Sequence, residues 1–361
     1  MATIPQTRGM ILEEVLLYLL RKSGYRTIEQ VGSDPTLTDE HSAGLAVRGR
    51  GGIHQIDAIA DFTVCPPFSN SQRLLIEAKY YSKTPGIEVV RNAVGVLKDV
   101  GEYWTASDLQ VRKTRYHYQY ACFSAIDFSS NAEKYAYSHD IYLIPLTKSK
   151  FIQPVIALIK EVADQAFPKN DKGELRVNLT ELREKFRNSF KQINRLSRPS
   201  IRQIYGIDSD NAIDTLEDFF NACRRINGSL IAMLARQFPI FLTANPELDG
   251  DGITSRDFRD YYSVRIYWDE NGWYLQERDS GRHLFSFDLP PELFQLYADQ
   301  GQLTELRALD LKEELLSEIQ AIQAFEDQVR IITFKLDHGW LSRLREQAYQ
   351  RQKQKEEPSN G

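Results

Sequence analysis

Cysteine is scarce. The chain of 361 residues holds 3, Cys65, Cys122 and Cys223, far apart and with no Cys or His partner at metal-ligand spacing. That pattern argues against a disulfide scaffold or a zinc site and for a reducing compartment, with the thiols acting as small buried apolar groups. The 6 histidines are also unpaired at ligand spacing. No Gly-x-Ser-x-Gly is present, and "RGRGG" lacks the Lys-Ser/Thr of a phosphate-binding loop, so neither a serine-hydrolase elbow nor an ATPase is indicated. Long apolar runs are missing too. "MILEEVLLYLL" is broken by Glu13 and Glu14, is too short for a membrane span, and no small-residue cleavage site follows, so a cytoplasmic protein that does not enter a membrane is expected. There is no internal repeat and no long low-complexity tract.

Excess positive charge is lacking as well, since the net charge is -5. The balance is uneven, however. Residues 1–150 hold 17 Lys and Arg against 16 Asp and Glu, and the remainder 28 against 34, so a locally basic face is compatible with the first part only.

The length exceeds what one hydrophobic core commonly supports, and two domains are the starting expectation. Near the N-terminus "TRGMILEEVLLYLLRKSGY" has apolar residues at helical spacing and a glycine placed to end the helix. "GLAVRG", "IHQIDAIADFTV" and "RLLIEAKYY" follow as strands, "GIEVVRNAVGVLKDVGEYW" as a helix, "YQYACFSA" as a strand, "SSNAEKYAYS" as a serine-capped helix and "DIYLIPL" as a last strand. This order predicts a mixed sheet covered by helices over residues 1–148. Residues 149–205 read as a helical linker region with "RLSRPS" as a hinge. A long helix is expected over "DTLEDFFNACRRINGSLIAMLARQF". Residues 206–345 as a whole are expected to form an α+β domain with a hairpin at Glu270-Asn271-Gly272, a helix from about Thr304 to Ala324 and a strand "QVRIITFKLD". The charged end, residues 346–361, is expected to fray into disorder.

Two runs carry charges that strands rarely hold without reason. Glu77 and Lys79 share one face of their strand, as do Asp57, Ile59 and Asp61 of theirs. In an antiparallel hairpin Asp57 faces Glu77. Two carboxylates at one point repel, and a hard divalent cation with oxygen ligands, most plausibly Mg²⁺, relieves them, with the Ala78 carbonyl as a further oxygen and Lys79 near the developing charge. A surface ion-pair ladder is the bland alternative. The apolar neighbours Ile56, Ala58, Ile59, Leu74, Leu75, Ile76 and Ala78 weigh against it, because unpaired ions in a buried sheet are costly.

"GGIHQID", followed by "IEAKY" and preceded by "LEEVLLYLLRKSGY", resembles the PD-(D/E)xK nuclease superfamily, nearest its Mrr-like restriction endonuclease branch. The resemblance covers roughly residues 8–147. It implies a restriction-endonuclease-like mixed β-sheet flanked by helices and a metal-dependent endonuclease acting on DNA, in restriction or antiviral defence. Asp57, Glu77 and the Ala78 carbonyl would hold Mg²⁺, with Mn²⁺ as substitute; Lys79 would be catalytic, and Glu13 would reach the metal directly or through water. Gln55 would stand behind these ligands or touch the substrate, with an ordinary polar role equally open; His54 reads as structural, though it lies close enough to Asp57 in the chain to stand behind it. Ala78 replaces the Cys common in that slot, and "GIHQID" replaces a glycine- and aspartate-rich form.

Arg48, Arg50, Lys83 and Arg91 are candidate phosphate contacts, each with a plain surface role as its alternative. Asp61 is assigned a structural or solvent role. "QVRKTRYHYQY" is either core or a nucleic-acid track, and "ELDGDGITSRDF" is a polar turn rather than a calcium loop. The alternatives in function are an RNA-directed or junction-specific nuclease and a catalytically silent nucleic-acid-binding or interaction module. The C-terminal domain is expected to regulate or bind, through DNA, another protein or a second copy of the chain.

Overall fold

The computed structural model describes residues 2–39, 45–80, 83–103, 115–149, 152–226, 228–235, 238–244, 253, 257, 259–269, 272–289, 305–325 and 328–356. The chain divides into two compact units, Met1–Asn227 and Gly228–Gly361, and the fold is mixed α/β.

The first unit opens with α1 (Ile4–Lys22), whose start is fixed by a capping box in which the Thr3 hydroxyl accepts from the Gln6 N–H. Next come β1 (Tyr25–Ile28), β2 (Leu37–Thr38), β3 (Ala46–Arg48), β4 (Ile53–Gln55), β5 (Ala58–Phe62), β6 (Ser71–Lys79), α2 (Ile87–Gly101), β7 (Tyr116–Ser124), α3 (Ser130–Tyr137) and β8 (Ile141–Pro145). A five-stranded sheet runs β1-β5-β6-β7-β8, antiparallel up to β6 and parallel from β6 to β8. The parallel steps need crossovers, and α2 and α3 supply them. Central β6 is buried through Leu74, Leu75 and Ile76, as expected for a strand covered on both faces.

Several expectations change here. "GLAVRG" does form a strand, but in a separate three-stranded sheet, β2-β3-β4. The run "IHQIDAIADFTV" is two strands, not one, because it bends at Asp57 and passes from that small sheet into the large one. Strand β1, on the edge beside β5, has no counterpart in the expected order.

Helices α4 (Gln153–Gln165), α5 (Leu179–Lys191) and α6 (Arg198–Tyr205) belong to this first unit rather than to a linker, and α7 (Asp210–Arg224) belongs to it rather than to the domain expected over residues 206–345. Their apolar faces bury one another: the rings of Phe186 and Phe190 each meet Phe219 and Phe220 edge-on or tilted, with centres 5.7 to 6.2 Å apart, and Phe219 meets Phe220 at 5.2 Å. Ser197 of the expected hinge caps α6.

The second unit holds β9 (Leu230–Leu234), β10 (Pro239–Leu242), β11 (Tyr261–Asp269), β12 (Gly272–Glu277), β13 (His283–Phe287), α8 (Glu305–Leu316), β14 (Glu318–Phe325), β15 (Gln328–Leu336) and α9 (His338–Glu356). Its seven-stranded sheet runs β10-β9-β14-β15-β11-β12-β13. β11 and β12 pair as the expected hairpin up to Asp269 and Gly272, while Glu270 and Asn271 lie outside the described residues. The helix expected to Ala324 stops at Leu316: "EIQAIQAF" alternates with period two and pairs with both β9 and β15. The long helix expected from Asp214 stops at Arg224, and Gly228, at φ 86°, precedes β9. The end expected to fray is helical to Glu356. The polar turn at residues 247–258 and the start of "QVRKTRYHYQY" lie almost wholly outside the described residues. Among the described residues no helix is long and apolar enough to cross a membrane.

Candidate functional site

The register of β5 against β6 runs Asp61↔Arg73, Ala60↔Leu74, Ile59↔Leu75 and Ala58↔Ile76. One step further brings Asp57 level with Glu77. At this end of the pair the ladder gives way to side chains: the Asp57 carboxylate accepts the Ala78 N–H at 2.8 Å. Glu77 and Lys79, two residues apart on one face, form an ion pair, and the Tyr120 hydroxyl donates to the other Glu77 oxygen at 3.2 Å. Side-chain exposures of 16% for Glu77 and 17% for Lys79 place this pair in a largely dry setting, where charge is expensive unless compensated.

The electrostatics follow from that burial. Desolvation, helped by the negative charge of Glu77, pushes the Asp57 carboxyl up to about 6, although the Ala78 N–H, Lys79 and an arginine, Arg183, pull the other way. Glu13 is pushed further, to about 7, chiefly by burial and in part by Asp57, against the pull of Arg183. Beneath Glu77 in the β6–β7 register lies Cys122, whose thiol burial raises to about 12, so it stays an inert neutral group.

The structure therefore brings Glu13, Asp57, Glu77, Ala78 and Lys79 together. Other candidates go elsewhere. His54 does not stand behind Asp57: its Nε2 lies 2.7 Å from an Asp99 oxygen at the end of α2, and the other Asp99 oxygen takes the Gly51 N–H. Arg50 pairs with Glu102 at 2.9 Å, binding the same loop to α2. A Cβ on Gly49 would sit 2.0 Å from Asp99 Oδ2, so a larger residue there would displace the Asp99 side chain that holds this loop. Gln55 lies exposed on β4 opposite Ala46, and Arg48 is on β3. Arg91 is placed between Glu88 and the Tyr135 ring, and Lys83 is exposed in the loop before α2.

Asp61 is structural, at the opposite end of the same hairpin. Arg73, 1% exposed, reaches Asp61, Asp34 and Thr36 at 2.7 to 3.0 Å beneath the Tyr116 ring, whose centre is 3.7 Å away. Each of its three nitrogens has a partner, as a buried guanidinium requires.

Two contributors escape a reading of the sequence. Tyr120 sits two positions before Cys122 on β7, a strand-period signal that marks it only once the β6–β7 register is known. Arg183 comes from α5, and no sequence spacing links it to Glu13.

Asp57, Glu77 and the Ala78 carbonyl form a set of hard oxygen donors suited to Mg²⁺ or Mn²⁺, and the burial-raised carboxyls are groups that a cation would stabilise in their charged form. Among the described residues no group of three or more His, Cys, Asp or Glu side chains is spaced to hold a metal, so the set rests on two carboxylates and a backbone oxygen.

No family model and no curated protein matches the chain. Among solved structures it is similar to a protein of unknown function, AF1548, at 18% identity and a TM-score of 0.34, over 61% of this chain and 98% of that one.

Proposed function

We propose that the chain is a metal-dependent endonuclease hydrolysing DNA phosphodiester bonds, built on a restriction-endonuclease-like sheet of the PD-(D/E)xK superfamily, near its Mrr-like branch. The observation that supports it most is the meeting of Asp57, Glu77 and Lys79 at one end of the β5–β6 pair, with Glu13 coupled to Asp57 from α1.

Asp57, Glu77 and the Ala78 carbonyl would hold Mg²⁺, or Mn²⁺ in its place. When bound, the ion supplies a Lewis acid and a water acidic enough to attack phosphorus at neutral pH. The chain's own groups do the rest. The Ala78 N–H fixes the Asp57 carboxylate, leaving its second oxygen for a ligand. Tyr120 orients Glu77. Lys79 lends positive charge to the phosphoryl oxygens as negative charge grows there and a proton source for the leaving oxygen. Glu13 accepts a proton near neutral pH, since burial places it close to 7.

The second unit would regulate or direct the reaction, through DNA, a partner protein or a second copy of the chain. Restriction or defence against foreign DNA is the role this family resemblance implies.

Plasmid, linear duplex, branched DNA and RNA incubated with the full chain and Mg²⁺ or Mn²⁺ test the proposal. Cleavage of duplex DNA, abolished by chelation, supports it; preference for RNA or junctions redirects the substrate class; binding without cutting under every condition leaves an interaction module.

A further inference from the structure

Arg183 pairs with Glu13 at 2.6 Å and approaches Glu14 at 3.3 Å, both through Nη1. A guanidinium carries five N–H donors on three nitrogens, so donors on Nε and Nη2 stay available. Its side chain is 29% exposed, whereas Glu14 is fully buried.

Glu14 keeps two other bonds apart from the one to Arg183. Arg187, one turn further along α5, grips Glu14 with two nitrogens, Nε at 3.1 Å and Nη2 at 2.7 Å. The two arginines thus act on different sides. The charge of Arg187 bears on Glu14 and Glu29, and that of Arg183 on Glu13 and Asp57. At the candidate site, three carboxylates (Glu13, Asp57, Glu77) stand against two cations (Lys79, Arg183). A phosphodiester entering beside Asp57 would add another negative charge, and Lys79 and Arg183 are the cations whose charge acts at that point.

We infer that Arg183 is a phosphate-contacting residue of the site, held by Glu13 and delivered to the DNA backbone by a helix outside the nuclease-like sheet; this rests on the nuclease proposal. The chemistry suits arginine. Its planar fork matches two phosphate oxygens while a carboxylate fixes its other edge. Helix α5 then belongs to the working site.

The test is DNA binding by the full chain in EDTA, read by fluorescence anisotropy over a salt series, so that no cleavage intervenes. Arg183→Gln should weaken binding about tenfold near 0.1 M salt and reduce the log–log salt slope by about 0.9, the share of one phosphate contact. Arg183→Lys should keep the slope. Lys191→Gln, which removes an exposed α5 cation paired with Glu29, should change neither quantity. A folded Arg183→Gln protein with wild-type affinity and slope, or an equal loss in Lys191→Gln, overturns the inference.

Glu13→Gln supplies an independent arm. Freeing the guanidinium from its carboxylate should tighten metal-free binding several-fold, and the gain should vanish in the Glu13→Gln/Arg183→Gln double variant. A gain that persists in the double variant, or no gain at all, contradicts the inference. If the wild-type chain cuts DNA and these arms fail, the inference falls alone; if the wild type neither binds nor cuts DNA, the nuclease proposal falls with it.

Discussion

At the residue scale, Lys79 and Asp57 carry the sharpest consequences. Lys79→Ala should lower DNA cleavage by about 10³-fold, the order expected when a charge aimed at the transition state is lost, while anisotropy shows DNA binding nearly intact. Asp57 couples function to stability. Its folded carboxyl titrates near 6, above the ordinary range, so between about pH 4 and pH 6 the folded state keeps a proton that the unfolded chain has released. Stability contributed by this group therefore falls as pH rises through that window, by about 2–3 kcal/mol at most. Asp57→Asn should abolish cleavage, melt higher than wild type at pH 8, and lose that advantage near pH 4; thermal scans at both values check it. Activity should rise with pH as Asp57 and then Glu13 deprotonate. Asp57, Glu77 and Lys79 were legible in the sequence because charged residues interrupt apolar strands. Arg183 was not, since its role arises only when α5 packs on α1. His54 misled by proximity: three residues along the chain from Asp57, its ring turns instead to Asp99.

At the element scale, β6 carries two charged groups with opposite duties. Its Arg73 end is a closed network in which every partner is matched, and its Lys79 end faces the candidate chemistry. Arg73→Met should leave the buried Asp61 with the exposed Arg26 at 2.9 Å and cost about 3–5 kcal/mol, seen as a lower denaturant midpoint, without changing kcat in the fraction still folded. The same contrast holds on α1. Glu14→Ala should destabilise by a similar amount, because Arg187 would lose its bidentate partner, whereas Glu13→Gln should impair cleavage with the fold retained. Periodicity revealed α1, α2, β6, β7 and β8. It failed at β14, where Glu, Gln and Ala favour a helix yet the period-two burial of Ile319, Ala321 and Gln323 decides for a strand, a preference set by the neighbours β9 and β15.

At the scale of the whole molecule, the boundary of the first unit falls at Asn227, well past the expected 148. Composition shifts after residue 148, and that shift suggested a linker. Packing shows why the segment is structural: α1 packs against α4 and α5, and Glu14 pairs with Arg183 and Arg187 of α5. A chain cut at 148 should expose the apolar face of α1 and fail to melt cooperatively, whereas residues 1–227 should unfold in one transition; calorimetry of the two fragments decides. Most of the sheet was thus visible in the sequence, but its helical support was not, because amphipathic helices announce a buried face without naming what covers it.

Asp57 and Glu77 are proposed to hold one divalent ion between them. The most direct measurement is Mn²⁺ titration of the full chain by electron paramagnetic resonance, repeated on Asp57→Asn and Glu77→Gln. One bound ion per chain is expected, lost in both variants. No bound ion in the wild type, or the same binding in all three proteins, would contradict it.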